Sequence, residues 1–291
     1  MAYDYSIYST YNRAYSLPNL YDSLCKQSFV DFEWLLIDDG STDNTQELIK
    51  QWELERKIKI RYLFQPNSGK HVAINKGVKE AEGEIFFIVD SDDYIISDGL
   101  KKINAIFRDI SDDDDFAGIS GIKVQVNGDS VSTGWKETII DTNALDIRYK
   151  YGITGDLAEV FKTKILEKYP FPVVVGERFC TEALVWNRIA LKYKLRYTQE
   201  PLYVCEYRAD GLTANSIRIR RKSPQCTALF YSELSHMPIP LLQKLKAQIN
   251  YWRFTHDISL TRIKELKMNM FLSLLMSPLG LILRLKDQNN L

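Results

Sequence analysis

The sequence predicts an α/β fold, in which a mixed, mostly parallel sheet is flanked by helices and followed by a helical C-terminal extension. From the N-terminus to about residue 125, short apolar segments alternate with segments of helical periodicity, which is typical of a largely parallel sheet. Beyond Asn215 the periodicity is helical to the end. The 291 residues, 45% of them hydrophobic, suffice for one large α/β domain and an appendage.

Each predicted element has its own signal. Apolar or β-branched segments predict strands at residues 34–37, 58–64 and 85–89, with further strands at 119–126 and 202–207. Stripes at helical spacing predict three helices between the first strands and another at 182–193. The first stripe is Leu17, Leu20 and Leu24, the second includes Val72, Ala73 and Ala81, and the third is Leu100, Ile103 and Phe107.

The zero net charge hides an asymmetry between the two parts of the chain. Residues 216–291 hold 12 basic and 4 acidic residues, whereas residues 1–215 hold 26 basic and 34 acidic residues. The basic tail suggests an anionic partner, and the acidic first part is compatible with a cation site. A nucleic-acid partner is not expected, because no basic stripe with interleaved aromatic residues is present.

Cysteine usage and the N-terminus favour a cytoplasmic location. The four cysteines show no CxxC or other metal-type spacing and fit a reducing compartment better than a disulfide framework. Residues 1–5 lack the basic and apolar regions of a signal peptide. We therefore expect a cytoplasmic protein, with peripheral contact to the inner face of the plasma membrane as an addition.

Carboxylates follow two of the predicted strands. Asp38 and Asp39 end one strand, and Asp90, Asp92 and Asp93 end another. Carboxyl ends of parallel strands meet at the edge where open α/β sheets bind ligands. Converging carboxylates repel one another unless a cation joins them, and hard divalent cations prefer oxygen ligands. The alternative is that these residues form turns and helix caps.

Four motifs follow one another within the first 100 residues: TYNRA at 10–14, DDGSTDNT at 38–45, NSGKHVAINKG at 67–77, and AEGE at 81–84 leading into VDSDD at 89–93. In this order they resemble family 2 glycosyltransferases of the GT-A fold. The resemblance implies a metal-dependent, inverting enzyme that moves a sugar from a nucleotide-sugar, most simply a UDP-sugar, to an acceptor hydroxyl of a growing glycan or lipid-linked glycan. It implies a catalytic domain at 1–215, divided into a nucleotide-binding half (1–100) and an acceptor-side half (101–215), before the extension at 216–291.

The same resemblance assigns roles to individual residues. Tyr11 would stack on the uracil, Asp39 would accept a hydrogen bond from the base, and Asp90 would contact the ribose. Asp92, with Asp90, would coordinate Mn²⁺ or Mg²⁺ across the diphosphate. Alternatively, Tyr11 is a strand-end tyrosine and Lys70 a solvated lysine at a helix start. The full predicted nucleotide-sugar site is Thr10, Tyr11, Arg13, Asp39, Asn67, Lys70, Asp90, Ser91 and Arg208.

Inversion requires a base for the acceptor hydroxyl. In the family this is commonly the aspartate of a Glu-Asp pair with an arginine six residues on; here Arg188 places Glu182 at that position and Thr181 before it. Glu182 is thus the predicted catalytic base, and Glu177 is the second candidate. The alternative for Glu182 is a structural glutamate at a helix start, where the helix dipole favours a negative charge. Arg208 would close over the diphosphate or form a surface salt bridge.

Two other classes of function compete with the enzyme. A catalytically inactive nucleotide-sugar-binding module of the same fold is supported by the altered pair Thr181–Glu182 alone, and the intact Asp90-Ser91-Asp92 argues against it. A Rossmann-type enzyme is excluded because no GxGxxG follows the first strand.

The tail combines a basic segment with an uncharged apolar segment at 268–283, which is short for a transmembrane helix. It predicts an interfacial helix on anionic lipid, a helix that caps the core, or a homodimer contact.

Overall fold

The computed structural model describes residues 5–7, 10–205, 216–255, 265–266 and 268–289. The chain divides into two compact units, one formed by Met1–Pro170 and Ile189–Tyr207 and the other by Phe171–Arg188 and Arg208–Leu291. Among the helices that the structure describes, none has the length and apolar character needed to cross a bilayer.

A mixed sheet forms the centre of the first unit. Its strands are β1 (Tyr5–Ile7), β2 (Glu33–Asp38), β3 (Lys59–Phe64), β4 (Ile85–Phe87), β5 (Tyr94–Ile95), β6 (Phe116–Val124), β7 (Ile139–Thr142), β8 (Leu157–Lys162) and β9 (Lys194–Val204). Over the described residues the order is β3-β2-β1-β4-β8-β6-β9-β5, with β7 on β9. The strands β3, β2, β1 and β4 are parallel, β6 and β9 are parallel, and β5, β7 and β8 pair antiparallel.

Helices cover this sheet because their apolar stripes need partners. The three leucines predicted to share a face of the first helix are buried, as are Leu100, Ile103 and Phe107 of the fourth. Tyr21 stacks on Trp52 with ring centroids 4.3 Å apart, and both pack against Trp34 of β2. The helices of this unit are α1 (Leu17–Cys25), α2 (Thr45–Glu55), α3 (Lys70–Glu80), α4 (Gly99–Arg108), α5 (Asp146–Tyr149) and α6 (Thr163–Leu166).

The carboxyl ends of β1, β2 and β4 emerge at one edge of the sheet, because these strands are parallel neighbours. Thr10 bridges to Asp38, its amide donates to the Ile37 carbonyl at 3.0 Å, and its carbonyl accepts from the Asp39 amide at 2.9 Å. The segments that leave β1 and β2 therefore start side by side. This edge is where the sequence places its acidic motifs.

The second unit is helical. Its elements are α7 (Ala183–Ala190), which begins in this unit, α8 (Ser216–Lys222), α9 (Pro224–His236), α10 (Leu241–Phe254) and α11 (Met270–Asn289). Ala228, Tyr251, Trp252 and Met268 form a small buried cluster. Arg188 of α7 pairs with Glu233 of α9 through two hydrogen bonds of 2.7 and 2.9 Å.

Candidate functional site

The loop after β1 is bonded to the loop after β2. The Asn12 amide donates to the Ser41 hydroxyl at 2.9 Å, and the Asn12 side-chain oxygen accepts from the Thr42 amide at 2.7 Å. Asn12 has φ 50°, a left-handed conformation that asparagine tolerates better than most residues. These bonds hold the loop that carries the neighbouring Tyr11, a residue that is 45% exposed to solvent.

The two adjacent aspartates at the end of β2 have different partners. Asp38 is buried and accepts from the Ser41 amide and the Tyr62 hydroxyl, both at 2.7 Å, so it shapes the loop and orients β3. Asp39 is also buried and holds the next loop along the chain: its Oδ1 accepts from Gln65 Nε2 at 2.7 Å and the Ser68 amide at 2.8 Å. Its Oδ2 accepts from the Gly69 amide at 2.8 Å.

Gly40 allows these two loops to approach each other. Its φ is 87°, and an added Cβ would lie 2.6 Å from the Asn67 backbone nitrogen. Any larger residue would therefore be strained and would also push on Asn67. The contact places Asn67 beside the Asp38–Ser41 turn.

The acidic segment after β4 forms a turn in which the Asp93 amide donates to the Asp90 carbonyl at 3.0 Å. The Ser91 carbonyl accepts from the Ser16 hydroxyl at 2.9 Å, which ties the turn to the start of α1. Ser91 and Asp93 are buried, whereas the side chains of Asp90 and Asp92 keep 33% and 20% exposure. The latter two carboxylates are therefore the ones that a ligand can reach.

Three basic side chains, here termed the cation cluster (Arg13, Lys70 and Lys123), surround those carboxylates. Lys70 pairs with Asp90, the Lys123 ammonium lies 3.9 Å from the other Asp90 oxygen, and Arg13 lies 3.9 Å from Asp92. Burial alone would raise the pKa of the Asp90 carboxyl, but the cation cluster outweighs it and holds this pKa at about 2. Asp90 is thus charged at neutral pH.

Lys123 is the member of this cluster that the sequence reasoning missed. It comes from β6, and its ammonium lies 4.6 Å from the centroid of the Tyr203 ring of β9. A signal existed, because a lysine inside an otherwise buried strand needs a countercharge nearby. The sequence could not show that this countercharge is Asp90.

The residues predicted for acceptor activation lie in the second unit. Glu182 immediately precedes α7, is half-buried, and its carbonyl accepts from the Val185 and Trp186 amides at 2.9 and 3.1 Å. Glu177 is buried, and its two oxygens accept from the Gln225 and Cys226 amides at 2.7 and 2.8 Å at the start of α9. Arg208 lies outside the described residues.

One edge of the sheet in the first unit brings together nine of the predicted site residues: Thr10, Tyr11, Arg13, Asp39, Asn67, Lys70, Asp90, Ser91 and Asp92. Such a set combines an aromatic face, cations suited to phosphate and carboxylate oxygens suited to a hard metal ion. No cluster of three or more His, Cys, Asp or Glu side chains able to hold a metal occurs in the described ranges.

Known proteins resemble the chain over much of its length. A family model described as glycosyl transferase family 2 matches residues 7–169. Glycosyltransferase GlyG of Streptococcus pneumoniae is 33% identical over 220 residues, which cover 69% of this chain and 70% of GlyG. The poly(ribitol-phosphate) beta-N-acetylglucosaminyltransferase TarS of Staphylococcus aureus is 32% identical over 165 residues, which cover 55% of this chain and 28% of TarS. The match to TarS therefore spans less than a third of that protein.

Solved structures show the same arrangement of elements. TarS 1-349 of S. aureus in complex with UDP-GlcNAc superposes with a TM-score of 0.64 at 23% identity, over 93% of this chain and 77% of that one. The mannosyltransferase PcManGT of Pyrobaculum calidifontis in complex with GDP-Man and Mn²⁺ gives 0.56 at 20% identity, over 96% and 84%. At these identities the likeness is one of fold.

Proposed function

Because this chain belongs to glycosyl transferase family 2 and has the GT-A fold, we propose that it transfers a sugar, with inversion, from a UDP-sugar to an acceptor hydroxyl on a growing glycan or lipid-linked glycan. The chain is a glycosyltransferase, as its family and relatives are. The observation that carries the finer proposal is the cation cluster beside Asp90 and Asp92 at the sheet edge. The UDP-GlcNAc complex of TarS supports a uridine donor.

The uridine would bind between the loops that follow β1 and β2. Tyr11 offers its exposed ring to the base. Asp39 Oδ2 accepts one hydrogen bond within the protein, and a carboxylate oxygen has capacity for a second. Uracil carries an imide N–H that suits this acceptor, whereas cytosine has an unprotonated nitrogen there and would be repelled. Thr10 and Asn67 complete the walls of this position.

The diphosphate would bind to the cation cluster. Arg13 and Lys70 already pair with carboxylates of the acidic turn, and guanidinium and ammonium groups form charge-assisted hydrogen bonds with phosphate oxygens as well. Asp90, released in part from Lys70, would accept from the ribose, with Ser91 fixing the turn. Arg208 would add a further cation, in keeping with its predicted place.

Asp90 and Asp92 fit a divalent cation. Mg²⁺ and Mn²⁺ are bound through one or two carboxylates together with substrate phosphates and waters, and both side chains are partly exposed at the edge where the diphosphate would lie. Asp92, with Asp90, would hold the ion. When bound, the ion would neutralise the charge that grows on the departing diphosphate. The Mn²⁺ complex of PcManGT is consistent with this choice.

Glu182 would be the base. It takes the proton of the acceptor hydroxyl as that oxygen bonds to the anomeric carbon and the bond from this carbon to the diphosphate breaks, which inverts the configuration. Glu177 is poorly suited, because both its oxygens already accept backbone amides at the start of α9. Its interactions are those of a helix cap.

A donor panel tests the proposal. UDP-, GDP- and dTDP-sugars would be compared for Mn²⁺-dependent hydrolysis, and UDP and CDP for binding by calorimetry. We expect hydrolysis with a UDP-sugar and tighter binding of UDP than of CDP. Preference for a GDP-sugar would contradict the donor assignment, and equal affinities for UDP and CDP would remove Asp39 as the reader of the base. Binding of UDP with no hydrolysis or transfer to any acceptor would favour an inactive binding module.

A further inference from the structure

The helix α11 presents its apolar side chains outward. Between 45% and 76% of each member of one stripe is exposed, here termed the apolar stripe: Phe271, Leu274, Leu275, Leu279, Ile282 and Leu285. These positions recur at spacings of three and four residues and thus share a side of the helix. At 1.5 Å per residue the stripe is about 21 Å long.

The opposite side of α11 is small or polar and packs on α10. Ser273 is buried and accepts from Trp252 Nε1 through its carbonyl at 2.8 Å and its hydroxyl at 3.0 Å. A Cβ at Gly280 would lie 2.4 Å from the Trp252 Cβ. Asp287 pairs with Arg253 through bonds of 2.7 and 2.8 Å. These contacts fix the rotation of α11 about its own axis, so its apolar side faces away from α10.

This arrangement is the reverse of an ordinary surface helix, which buries its apolar side and exposes its polar one. A contiguous apolar surface of this kind indicates a binding surface. Like the other described helices, α11 does not combine the length and apolar character that crossing a bilayer requires. An amphipathic helix can contact a membrane by lying in the plane of its surface with its apolar side in the headgroup boundary.

The exposed charges on α8 and on the C-terminal part of α11 are cationic. Residues 268–283 carry no charge, and the one acidic residue of α11, Asp287, is buried between Arg253 and Arg221. Arg221 also donates to the Arg284 carbonyl at 2.7 Å, which joins α8 to the C-terminal part of α11. Arg218 and Lys222, on the same short helix as Arg221, and Lys286 on α11 are exposed cations.

We propose that the apolar stripe of α11 inserts into the headgroup boundary of an anionic bilayer, with Arg218, Lys222 and Lys286 meeting lipid phosphates. Charge complementarity favours lipid over a second copy of this chain, because a symmetric dimer through the same face would bring like cations together. Apolar contact and cation attraction are the two signals that together give stable peripheral binding. The inference does not depend on which sugar the protein transfers.

Vesicle flotation of the full chain tests the proposal. We expect flotation with vesicles of phosphatidylcholine and phosphatidylglycerol, weaker flotation with phosphatidylcholine alone, and a decrease as salt rises. The double variant Leu275→Glu with Leu279→Glu should lower the partition coefficient at least about tenfold. Leu54→Glu is the matched control, because Leu54 is 82% exposed on α2, and it should float like the wild type.

A second set of variants keeps the stripe and removes the charge. Replacing Arg218, Lys222 and Lys286 by glutamine should lower binding to anionic vesicles and leave binding to neutral ones unchanged. Wild-type chain that stays at the bottom of the gradient with both vesicles would overturn the proposal, and so would unchanged flotation of the leucine variant. A dimer in sedimentation that the leucine variant dissociates, without any flotation, would assign the stripe to a second copy instead. Far-UV circular dichroism and the melting temperature of every variant report intact folding.

Discussion

Oppositely charged side chains meet in one way in the closed pairs of the second unit and in another way at the sheet edge of the first unit. In the second unit, Arg188–Glu233 and Arg253–Asp287 are two-pronged pairs with all four bonds between 2.7 and 2.9 Å. At the sheet edge of the first unit, Arg13–Asp92 and Lys123–Asp90 lie 3.9 Å apart. In the first kind, two guanidinium N–H groups donate to the two oxygens of one carboxylate, and we call such a pair closed. In the second kind, the opposite charges attract one another but lie beyond hydrogen-bond distance.

The difference separates charges that stabilise the fold from charges suited to a ligand. A two-pronged pair holds two elements at a fixed distance. At the sheet edge Lys70 pairs directly with Asp90, but Arg13 and Lys123 approach Asp92 and Asp90 less closely, and such charges of both signs would exchange partners in the proposed donor complex. We therefore expect substitutions at the sheet edge to change activity more than stability, and substitutions in the closed pairs to do the reverse.

The largest effect is expected at Glu182. Glu182→Gln should reduce transfer by roughly 10²–10⁴-fold, because general base catalysis is worth that much, while UDP binding is retained. Rates with a UDP-sugar and an acceptor, beside calorimetry with UDP, measure the two effects. The matched control is Glu177→Gln in the same unit, which should lower the melting temperature through loss of the α9 cap. Normal transfer by Glu182→Gln would mean that the base is another residue.

Asp92→Asn should reduce transfer by roughly 10²–10³-fold, as expected for loss of electrostatic stabilisation of the leaving group. Its melting temperature should stay close to that of the wild type, because Asp92 is partly exposed and only loosely paired. Asp31→Asn, at an exposed position away from the edge, serves as the control. Full activity in Asp92→Asn or in excess EDTA would exclude the metal-dependent mechanism.

Lys123 tests the distinction between structural and ligand-binding charges, because it belongs to the central strand β6 but lies near Asp90 at the sheet edge. Lys123→Gln should weaken UDP binding about tenfold, the value of one lost charge-assisted contact. Titration calorimetry at two salt concentrations measures this loss, which should shrink as salt rises. An unchanged affinity for UDP together with a lower melting temperature would mean that Lys123 stabilises the fold and does not bind the ligand.

Arg253→Gln tests the closed pairs. It leaves Asp287 buried with one fewer partner, so the free energy of unfolding should fall by about 1–2 kcal/mol. Chemical denaturation measures this change. Transfer to a soluble acceptor, corrected for folded protein, should not change. If Arg253→Gln were as stable as the wild type but transferred sugar more slowly, the distinction between closed structural pairs and ligand-binding charges would be contradicted.

The smallest effect concerns pH. The folded pKa of Asp90, about 2, lies below its ordinary value, so its contribution to stability is complete above about pH 5 and is lost as pH falls towards 2. The difference in unfolding free energy between the wild type and Asp90→Asn should therefore be constant from about pH 5 to 7, at about 1 kcal/mol given its partial exposure, and should shrink below about pH 5. A difference that changes between pH 5 and 7 would point to another titrating group.

The sequence was most informative where local signals were strong. The segments before Asp38 and Asp90 are apolar and end in carboxylates, so strands β2 and β4 and their meeting edge were predicted correctly. The strands β5, β7 and β8 were missed, because they are short or carry charges such as Glu159 and depend on antiparallel partners distant in sequence. Likewise, β9 begins at Lys194, well before the predicted start at 202, since its first residues are fixed by pairing with β6 and β7.

Local sequence patterns could not predict which side chains would become partners, because that also depends on how distant segments pair. The proximity of Lys123 to Asp90 depends on the placement of β6 in the sheet, and no spacing along the chain encodes it. The uncharged segment at 268–283 was visible in the sequence, but its outward side is set by Ser273 and Gly280 against α10. The roles assigned to the individual site residues stay predictions until the variants above are measured.

The three hydrogen bonds that Asp39 accepts from residues 65–69 have a consequence for how the donor is met. They are formed within the protein, so the loop before α3 loses its conformational freedom during folding rather than during binding. Such preorganisation lowers the entropic cost of association. It also predicts that the nucleotide binds rapidly and in a single kinetic step, in contrast to sites where a loop must first become ordered. One buried carboxylate thus links the completion of the fold to the speed with which a ligand is accepted.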